Sequence, residues 1–229
     1  MSRRKKSHQS HGTPNRPRLW GRHAVSAALD NPERKVLRAW ATREAAEFMQ
    51  FPKEVAVTLA DVADLGRLVP SDAPHQGVVV EVEPLEEVWL DDLLTNAPER
   101  AVLLVLDQVT DPHNVGAILR SAAAFGAIGI VTQDRHSPPE SGALAKAASG
   151  ALDDLPSVEV KNLARALETL RGYGFALIGL AEDADLTIEQ AMEGERIALQ
   201  ILQPRHLADL ADESSQDEAT CLRCELTPR

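Results

Sequence analysis

The chain has 229 residues, enough for two small domains or one larger one, and 44% of its residues are hydrophobic while only 3% are aromatic. No apolar run approaches the roughly 18 residues of a membrane span, and no apolar segment lies near the N-terminus, so we expect neither a membrane anchor nor a secretory signal. Both cysteines lie in the last nine residues, which predicts no disulfide framework and favours a cytoplasmic protein.

The net charge of −11 is unevenly distributed along the chain. Residues 1–18 contain six Lys or Arg and no acidic residue, whereas the remainder holds 18 basic and 35 acidic side chains, a balance of −17. Nucleic-acid affinity depends on neutralising phosphates, so the acidic body is a poor nonspecific binder of polyanions. The basic segment is interpreted as a disordered arm that contacts RNA or as a solubilising tail, and composition leaves both open.

Residues 19–83 are predicted to form a first α/β unit. Its helices are expected over 19–31, 43–50 and 61–68, and its strands over 35–41, 55–59 and 76–82. The acidic segment Pro84–Pro98 is bounded by prolines, and residues 84–99 are predicted to be a linker with one or two helical turns.

The second unit alternates strands and helices more regularly. The solid apolar run Ala101–Leu106 predicts a strand buried on both faces, as in a parallel sheet. Further strands are expected over 128–132, 158–160, 175–180 and 196–202, and helices over 114–125, 140–151, 163–171 and 187–192. Strands separated by single helices indicate a right-handed parallel sheet with helices on both faces.

Two polar residues follow the first strand of this unit. Asn114 is placed as the N-cap of the helix 114–125, and Arg120 lies six residues later. Ligands of open α/β sheets bind in crevices beyond the carboxyl ends of the strands, where an Asn and an Arg can grip a phosphate or a ribose. The alternative is a simple N-cap followed by a solvated arginine.

The residue pattern at this point is specific. D-x-V-x-D-P-x-N-x-G-A-I-x-R-S-A, from Asp107 to Ala122, resembles the first motif of the SpoU-type RNA ribose 2′-O-methyltransferases of the SPOUT superfamily. The resemblance implies that Asn114 and Arg120 are active-site residues, with Arg120 assigned to activation of the ribose 2′-hydroxyl. A cation suits a developing alkoxide, whereas the high pKa of arginine makes it an awkward general base, so that role is implied by the family alone.

Both ends of the first unit carry a second resemblance. Gly21–Val25 (GRHAV) and the segment PHQGVV around His75 are similar to the start and end of the substrate-recruiting domain in bacterial ribosomal RNA methyltransferases of this family. Without the resemblance, the second segment is a turn in which a glycine frees the backbone. The family implies RNA contacts at Arg22, His23, His75 and Gln76.

Two other segments match the family more loosely. Lys146 lies late in a helix of small residues, which in similar proteins packs near the RNA; a plain close-packing surface is the alternative. The family loop after the strand 175–180 helps to hold the adenosine of S-adenosylmethionine, which makes Leu180, Ala181 and Glu182 candidate cofactor contacts. A carboxylate there can accept hydrogen bonds from ribose hydroxyls, or the loop is simply solvated.

The resemblance stops near residue 200. Family members continue with a glycine-rich cofactor loop, another strand and an Asn-x-Ser before a final helix, and these parts form a deep trefoil knot. This chain has no glycine after Gly194 and no Asn-x-Ser there, and we predict no strand after residue 202. We expect a frameshift or truncation, weak cofactor binding, a compromised version of the family's dimer surface, and an exposed sheet edge at 196–202.

The sequence therefore predicts an α/β protein: a small N-terminal α/β substrate-binding domain and a parallel-sheet SPOUT (α/β knot) domain that is incomplete at its C-terminal end. The predicted segments are a basic tail (1–18), the RNA-binding domain (19–83), the linker (84–99), the methyltransferase domain (100–202) and a disordered tail (203–229).

The implied reaction moves a methyl group from S-adenosylmethionine to a ribose 2′-hydroxyl of ribosomal RNA, at a guanosine, without a metal. A catalytically inactive RNA-binding remnant is the alternative. Cys221-x-x-Cys224 has no second ligand pair nearby, so we expect no zinc site. No G-x-G-x-x-G or Walker loop follows any strand, which argues against an unrelated nucleotide-binding domain.

Overall fold

The computed structural model describes residues 16–181, 186–191, 194–202 and 220–223. The candidate cofactor contact Glu182 lies outside these residues, as does most of the predicted tail 203–229. No helix in the described part is long and apolar enough to cross a membrane.

The first unit is a four-stranded mixed sheet with three short helices. Its elements are β1 (Arg18–Trp20), α1 (Arg22–Asp30), β2 (Val36–Ala41), α2 (Arg43–Phe48), β3 (Ala56–Leu59), α3 (Val62–Gly66) and β4 (Val78–Val82). The strand order is β1-β4-β2-β3, with β4 antiparallel to both neighbours and β2 parallel to β3. All five residues of β4 are buried, so this strand forms the centre of the unit.

The prediction of a helix over 19–31 was wrong at its start. Residues 18–20 form β1, in which Leu19 is fully buried and pairs with Val80, and α1 begins only after Gly21. Gly21 has φ +90°, a conformation that separates the strand from the helix and that glycine adopts without strain. Residues 18–20 form a strand because they pair with β4, and a helical pattern in the sequence does not encode that pairing.

The linker contains one short helix, and the second unit is a seven-stranded parallel sheet. Its elements are α4 (Leu90–Thr95), β5 (Ala101–Asp107), α5 (Pro112–Ala124), β6 (Gly129–Gln133), α6 (Gly142–Ala148), α7 (Ala151–Asp154), β7 (Ser157–Val160), α8 (Leu163–Gly172), β8 (Ala176–Ala181), β9 (Leu186–Thr187), α9 (Ile188–Ala191), β10 (Arg196–Leu202) and β11 (Thr220–Arg223). The strand order is β7-β6-β5-β10-β8-β11-β9.

The apolar strand β5 has the environment that its sequence predicts. Leu104 and Leu106 belong to the core shared with α1, α5, α6 and α7, whereas Leu103 and Val105 belong to the core shared with α4 and α8. Side chains of a strand alternate between the two faces of a sheet, so both faces of β5 are covered. The predicted parallel sheet with helices on both faces is confirmed.

One predicted helix is interrupted and another starts later than expected. Residues 140–151 are divided into α6 and α7 because Ser149 and Gly150 both adopt positive φ values, 51° and 104°. In the predicted helix 187–192, Thr187 still belongs to β9, and α9 begins one residue later.

Two expectations about the C-terminal region were also wrong. β10 is not an exposed edge, because it lies between β5 and β8 and pairs with both. A strand does follow residue 202: β11 pairs in parallel with β8 and with β9. Hydrophobic periodicity locates β10 along the chain but does not give strand order. The free edge of β8 needs partners for its backbone N–H and C=O groups, and the four residues of β11 provide them over Ile178–Ala181.

Candidate functional site

The carboxyl edge of the parallel sheet brings together the ends of β5, β8 and β10. Leu202 is the register partner of Asp107, and the Gln200 side-chain amide donates a hydrogen bond to the Asp107 carboxylate at 3.4 Å. Leu180 and Ala181, two predicted cofactor contacts, are the last residues of β8 and lie at the same edge. Ligands of parallel sheets bind at this edge, and the assignment of Leu180 and Ala181 to a cofactor stays a prediction.

The loop from β5 to α5 positions the motif residues by its own hydrogen bonds. Asp111, not Asn114, is the N-cap of α5, and its carboxylate accepts from the backbone N–H of His113 at 2.8 Å. Pro112 follows as the first helical residue, where the missing N–H costs nothing. The prediction of Asn114 as N-cap was therefore wrong, and its exposed side chain is not occupied in capping the helix.

Asn114 and Arg120 lie on different faces of α5. Six residues of helix separate them by about 9 Å along the axis and about 120° around it. Both side chains are exposed, and neither has a hydrogen-bond partner among the described residues. Within one chain, the Asn114 and Arg120 side chains therefore do not converge on a common site.

The helix α6 is a close-packing surface, as one of the two interpretations predicted. A side chain at Gly116 would overlap the Ala147 side chain and the backbone of Ala148, so α5 and α6 approach more closely than larger residues would allow. Gly142, at the start of α6, fits equally tightly against Trp20 of β1. The small residues thus join the second unit to the first.

Three predicted RNA contacts meet across the boundary between the units. The Lys146 Nζ of α6 donates to Gln76 Oε1 at 2.7 Å, and the Arg22 backbone N–H donates to the same oxygen at 3.1 Å. Gln76 adopts a left-handed conformation with φ 53° in the turn that precedes β4. We call Arg22, Gln76 and Lys146 the cationic contact.

Among the residues that the structure describes, the cationic contact keeps unused hydrogen-bond donors. Lys146 has three N–H groups and a neutral amide as its partner, and burial lowers the pKa of its ammonium group. The Arg22 guanidinium pairs with Glu44 at 3.2 Å and lies over the Phe48 ring, with its Cζ 5.8 Å from the ring centroid. The Gln76 oxygen therefore has one cation beside it, the Lys146 ammonium, while the Arg22 guanidinium lies on the same surface next to Glu44 and Phe48.

The two histidines are placed differently. His23 is exposed on α1 beside Arg22. The His75 Nδ1 accepts from the backbone N–H of Gly77 at 3.2 Å, so this side chain has a local role in the turn that carries Gln76.

A second contact between the units was not predicted. Arg34 has no exposed side-chain surface; its Nη1 donates to Glu140 at 2.5 Å and its Nε donates to Asp153 at 2.6 Å. Its Nη1 also donates to the carbonyl oxygen of Glu83 at 3.1 Å. We call Arg34, Glu140 and Asp153 the buried ionic cluster. In sequence, Arg34 lies in a polar turn and gives no signal of burial.

Family comparisons divide the chain between two related domains. The substrate-binding domain of RNA 2′-O ribose methyltransferases matches residues 18–88, and the SpoU rRNA methylase family matches residues 101–201. The chain is 37% identical over 188 residues to the 23S rRNA (guanosine-2′-O-)-methyltransferase RlmB of Pseudomonas syringae pv. tomato, covering 76% of this chain and 72% of the relative. It is also 37% identical over 193 residues to an uncharacterized tRNA/rRNA methyltransferase of Synechocystis sp., covering 80% of this chain but only 50% of that protein.

Solved structures show the same fold. The SpoU methyltransferase AviRb from Streptomyces viridochromogenes, in complex with AdoMet, superposes with a TM-score of 0.71 at 18% identity, covering 93% of this chain and 82% of that one. A putative RNA methyltransferase of the TrmH family from Porphyromonas gingivalis gives a TM-score of 0.68, covering 93% of this chain and 81% of its own.

The fold and the motif at the sheet edge define an RNA methyltransferase of the SPOUT superfamily. The chain belongs to the SpoU rRNA methylase family, whose members are S-adenosylmethionine-dependent RNA 2′-O-methyltransferases. The resemblance in the motif from Asp107 to Ala122 is thereby confirmed.

Proposed function

We propose that the chain docks ribosomal RNA on the first unit and presents a ribose 2′-hydroxyl, of a guanosine, to α5 in the second unit. The observation that carries this proposal is the cationic contact, which joins candidate RNA-binding residues from both family domains in one surface. The RlmB relatives, which by name act on guanosine in 23S rRNA, support the choice of substrate. Ribosomal RNA as the substrate also favours the cytoplasmic location predicted from composition.

The described residues at the sheet edge fit S-adenosylmethionine in part. The end of β8 offers the backbone groups of Leu180 and Ala181, and Asp107 lies at the same level two strands away with its carboxylate held by Gln200. When bound, S-adenosylmethionine supplies an electrophilic methyl group. Carboxylate and backbone groups suit hydroxyls and amines of a nucleoside, so these residues would hold its adenosine portion.

The residues of α5 then act on the RNA. The Arg120 guanidinium is a cation, so it stabilises the negative charge that develops on the 2′-oxygen and attracts the adjacent phosphate, while the hydroxyl proton leaves to solvent. The Asn114 amide, on another face of α5, holds a neighbouring part of the RNA through its donor and acceptor groups and so organises the site. In this proposal catalysis depends on positioning and on charge stabilisation.

We propose further that this polypeptide binds S-adenosylmethionine weakly and dimerises less well than other family members. The family match ends at residue 201, and the residues after Gly194 contain no glycine. A loop that lies against a ligand uses glycine so that its backbone can approach closely. These observations favour a second candidate function, an RNA-binding protein without transferase activity.

Two assays on the whole chain separate the candidates. Filter binding with ribosomal RNA measures docking, and incorporation of a labelled methyl group measures transfer. Docking without transfer supports the remnant, whereas transfer that is lost in Asn114→Ala and Arg120→Met supports the enzyme. Micromolar S-adenosylmethionine binding by calorimetry would contradict the weakened cofactor site, and absence of both docking and transfer would contradict both candidates.

A further inference from the structure

We propose that Phe48 is a stacking platform for an unpaired RNA base, next to the cationic contact. This inference rests on the proposed RNA-binding function and goes beyond it in naming the residue and the form of the ligand. Phe48 is the last residue of α2, and 73% of its surface is exposed. A phenyl ring of that exposure presents an aromatic face to solvent, which is the surface that nucleobases stack on.

The platform is connected to the cationic contact through Arg22. The backbone of Arg22 is held by Gln76, its guanidinium pairs with Glu44, and the same guanidinium lies 5.8 Å from the Phe48 centroid. Because Gln76 also accepts from Lys146, a continuous set of contacts runs from the exposed ring to the second unit. A nucleotide stacked on the ring would have its phosphate near the Arg22 guanidinium, which lies beside the ring.

Other exposed apolar side chains lack this combination. In the described part of the chain, the large hydrophobic residues with the most exposure besides Phe48 are Val57, Leu59, Val62, Trp89 and Phe125. None of these has an arginine over a ring, since the other cation–π pairs involve the less exposed Trp40 and Phe175. Aromatic exposure together with a fixed guanidinium therefore singles out Phe48.

The chemistry favours a single-stranded ligand. In a duplex the base faces are covered by neighbouring bases, whereas a loop or bulge offers them for stacking. Stacking on an aromatic ring depends little on base identity, because every base has a π-face. Glu44 and Glu47, on the same helix, repel phosphate. Binding at this surface therefore depends on stacking against the Phe48 ring as well as on the charge of Arg22.

The test measures RNA affinity of the whole chain with a single-stranded oligoadenylate of about 12 nucleotides that carries 2-aminopurine. Phe48→Ala should weaken binding about 5- to 100-fold, and the change in 2-aminopurine fluorescence that reports stacking should disappear. Phe48→Tyr should keep both signals. Trp89→Ala removes an aromatic ring of similar exposure from the linker and should change neither.

Glu44→Gln provides a gain-of-binding test. It removes a negative charge and leaves Arg22 free, so it should strengthen binding to the same oligonucleotide. Phe48→Leu keeps apolar volume without a π-face, so it should bind as weakly as Phe48→Ala.

Several outcomes would overturn the platform. If Phe48→Leu binds the oligonucleotide as tightly as Phe48→Tyr, apolar volume is sufficient and no base stacks on the ring. Wild-type affinity in Phe48→Ala would overturn it as well, as would failure of the wild-type chain to bind the oligonucleotide. Methyl transfer to ribosomal RNA is measured separately, so the proposed function can stand when the platform fails.

Discussion

The two units touch at two polar places that use the same kind of group in opposite ways. In the buried ionic cluster, Arg34 is enclosed and paired with two carboxylates of the second unit. In the cationic contact, Lys146 reaches back to the first unit and finds the neutral amide of Gln76. In the buried ionic cluster, the two carboxylates neutralise the Arg34 cation. In the cationic contact, the Lys146 ammonium keeps its charge and further N–H donors that an anion can bind. We infer that one contact holds the units together and that the other binds RNA.

The cost of burial sharpens this difference. The Arg34 Nη2 and the Asp153 Oδ2 are buried without a hydrogen-bond partner among the described residues. Burying an unpaired charge costs free energy. Removing one member of such a cluster therefore destabilises the fold more than replacing all of its members with apolar residues would. A surface pair holds long side chains in water and contributes little to stability.

The largest expected effect is on the buried ionic cluster. Arg34→Met leaves Glu140 and Asp153 without their cation, and we expect the free energy of unfolding to fall by about 3–5 kcal/mol in urea titrations. Arg67→Met, which removes an exposed pair with Asp64, is the control and should cost less than about 1 kcal/mol.

A compensated variant tests the cause of that loss. Adding Glu140→Gln and Asp153→Asn to Arg34→Met removes the buried carboxylates and should recover part of the stability. If Arg34→Met costs no more than Arg67→Met, the cluster does not hold the units together.

The apolar part of the boundary should be the next most sensitive. In Gly142→Ala the new methyl group would overlap atoms of the Trp20 ring. We expect the free energy of unfolding to fall by about 1–3 kcal/mol, measured by the same titration. Gly66→Ala is the matched control, because open space surrounds that position. Equal stabilities of the two variants would mean that β1 and α6 are not in tight contact.

Lys146 should matter for binding and little for stability. Lys146→Met loses one hydrogen bond to Gln76, and we expect a stability change within about 1 kcal/mol together with weaker binding of ribosomal RNA. Lys35→Met removes a more exposed lysine, which pairs with Glu83 and not with Gln76, and should leave RNA binding unchanged. A large loss of stability in Lys146→Met with unchanged RNA affinity would reverse the assignment.

The smallest expected effect is a pH dependence. Burial lowers the pKa of Lys146 below the ordinary lysine value of 10.5, so the folded chain releases this proton before the unfolded chain does. In the window between the lowered pKa and the ordinary value the unfolded state binds more protons, and the contribution of Lys146 to stability therefore rises with pH. The difference in stability between wild type and Lys146→Met should show this rise, and a flat difference would contradict it.

The sequence was informative where structure depends on local pattern. The run AVLLVL predicted β5 because a strand covered on both faces is apolar throughout, and the motif from Asp107 to Ala122 located α5 and its two candidate site residues. The helix cap was assigned to the wrong residue, since Asp111 and Asn114 both suit an N-cap and only the Asp111–His113 hydrogen bond decides between them.

Features that depend on tertiary placement were not predictable. We expected β10 to be an exposed edge strand, but it lies inside the sheet between β5 and β8. Hydrophobic periodicity does not encode strand order. Arg34 and Phe48 look like ordinary surface residues until the partner side chains come within reach. By contrast, the family resemblance named Arg22, Gln76 and Lys146 separately, and the structure brings them to one oxygen atom.

The most direct test of the two-contact account is the salt dependence of ribosomal RNA binding. The slope of log affinity against log salt concentration counts the phosphates that cations neutralise, at about 0.7–0.9 per contact. Lys146→Met should reduce that slope by about one contact, whereas Lys35→Met should leave it at the wild-type value. An unchanged slope in Lys146→Met, or an equal reduction in both variants, would contradict the assignment of the cationic contact to RNA.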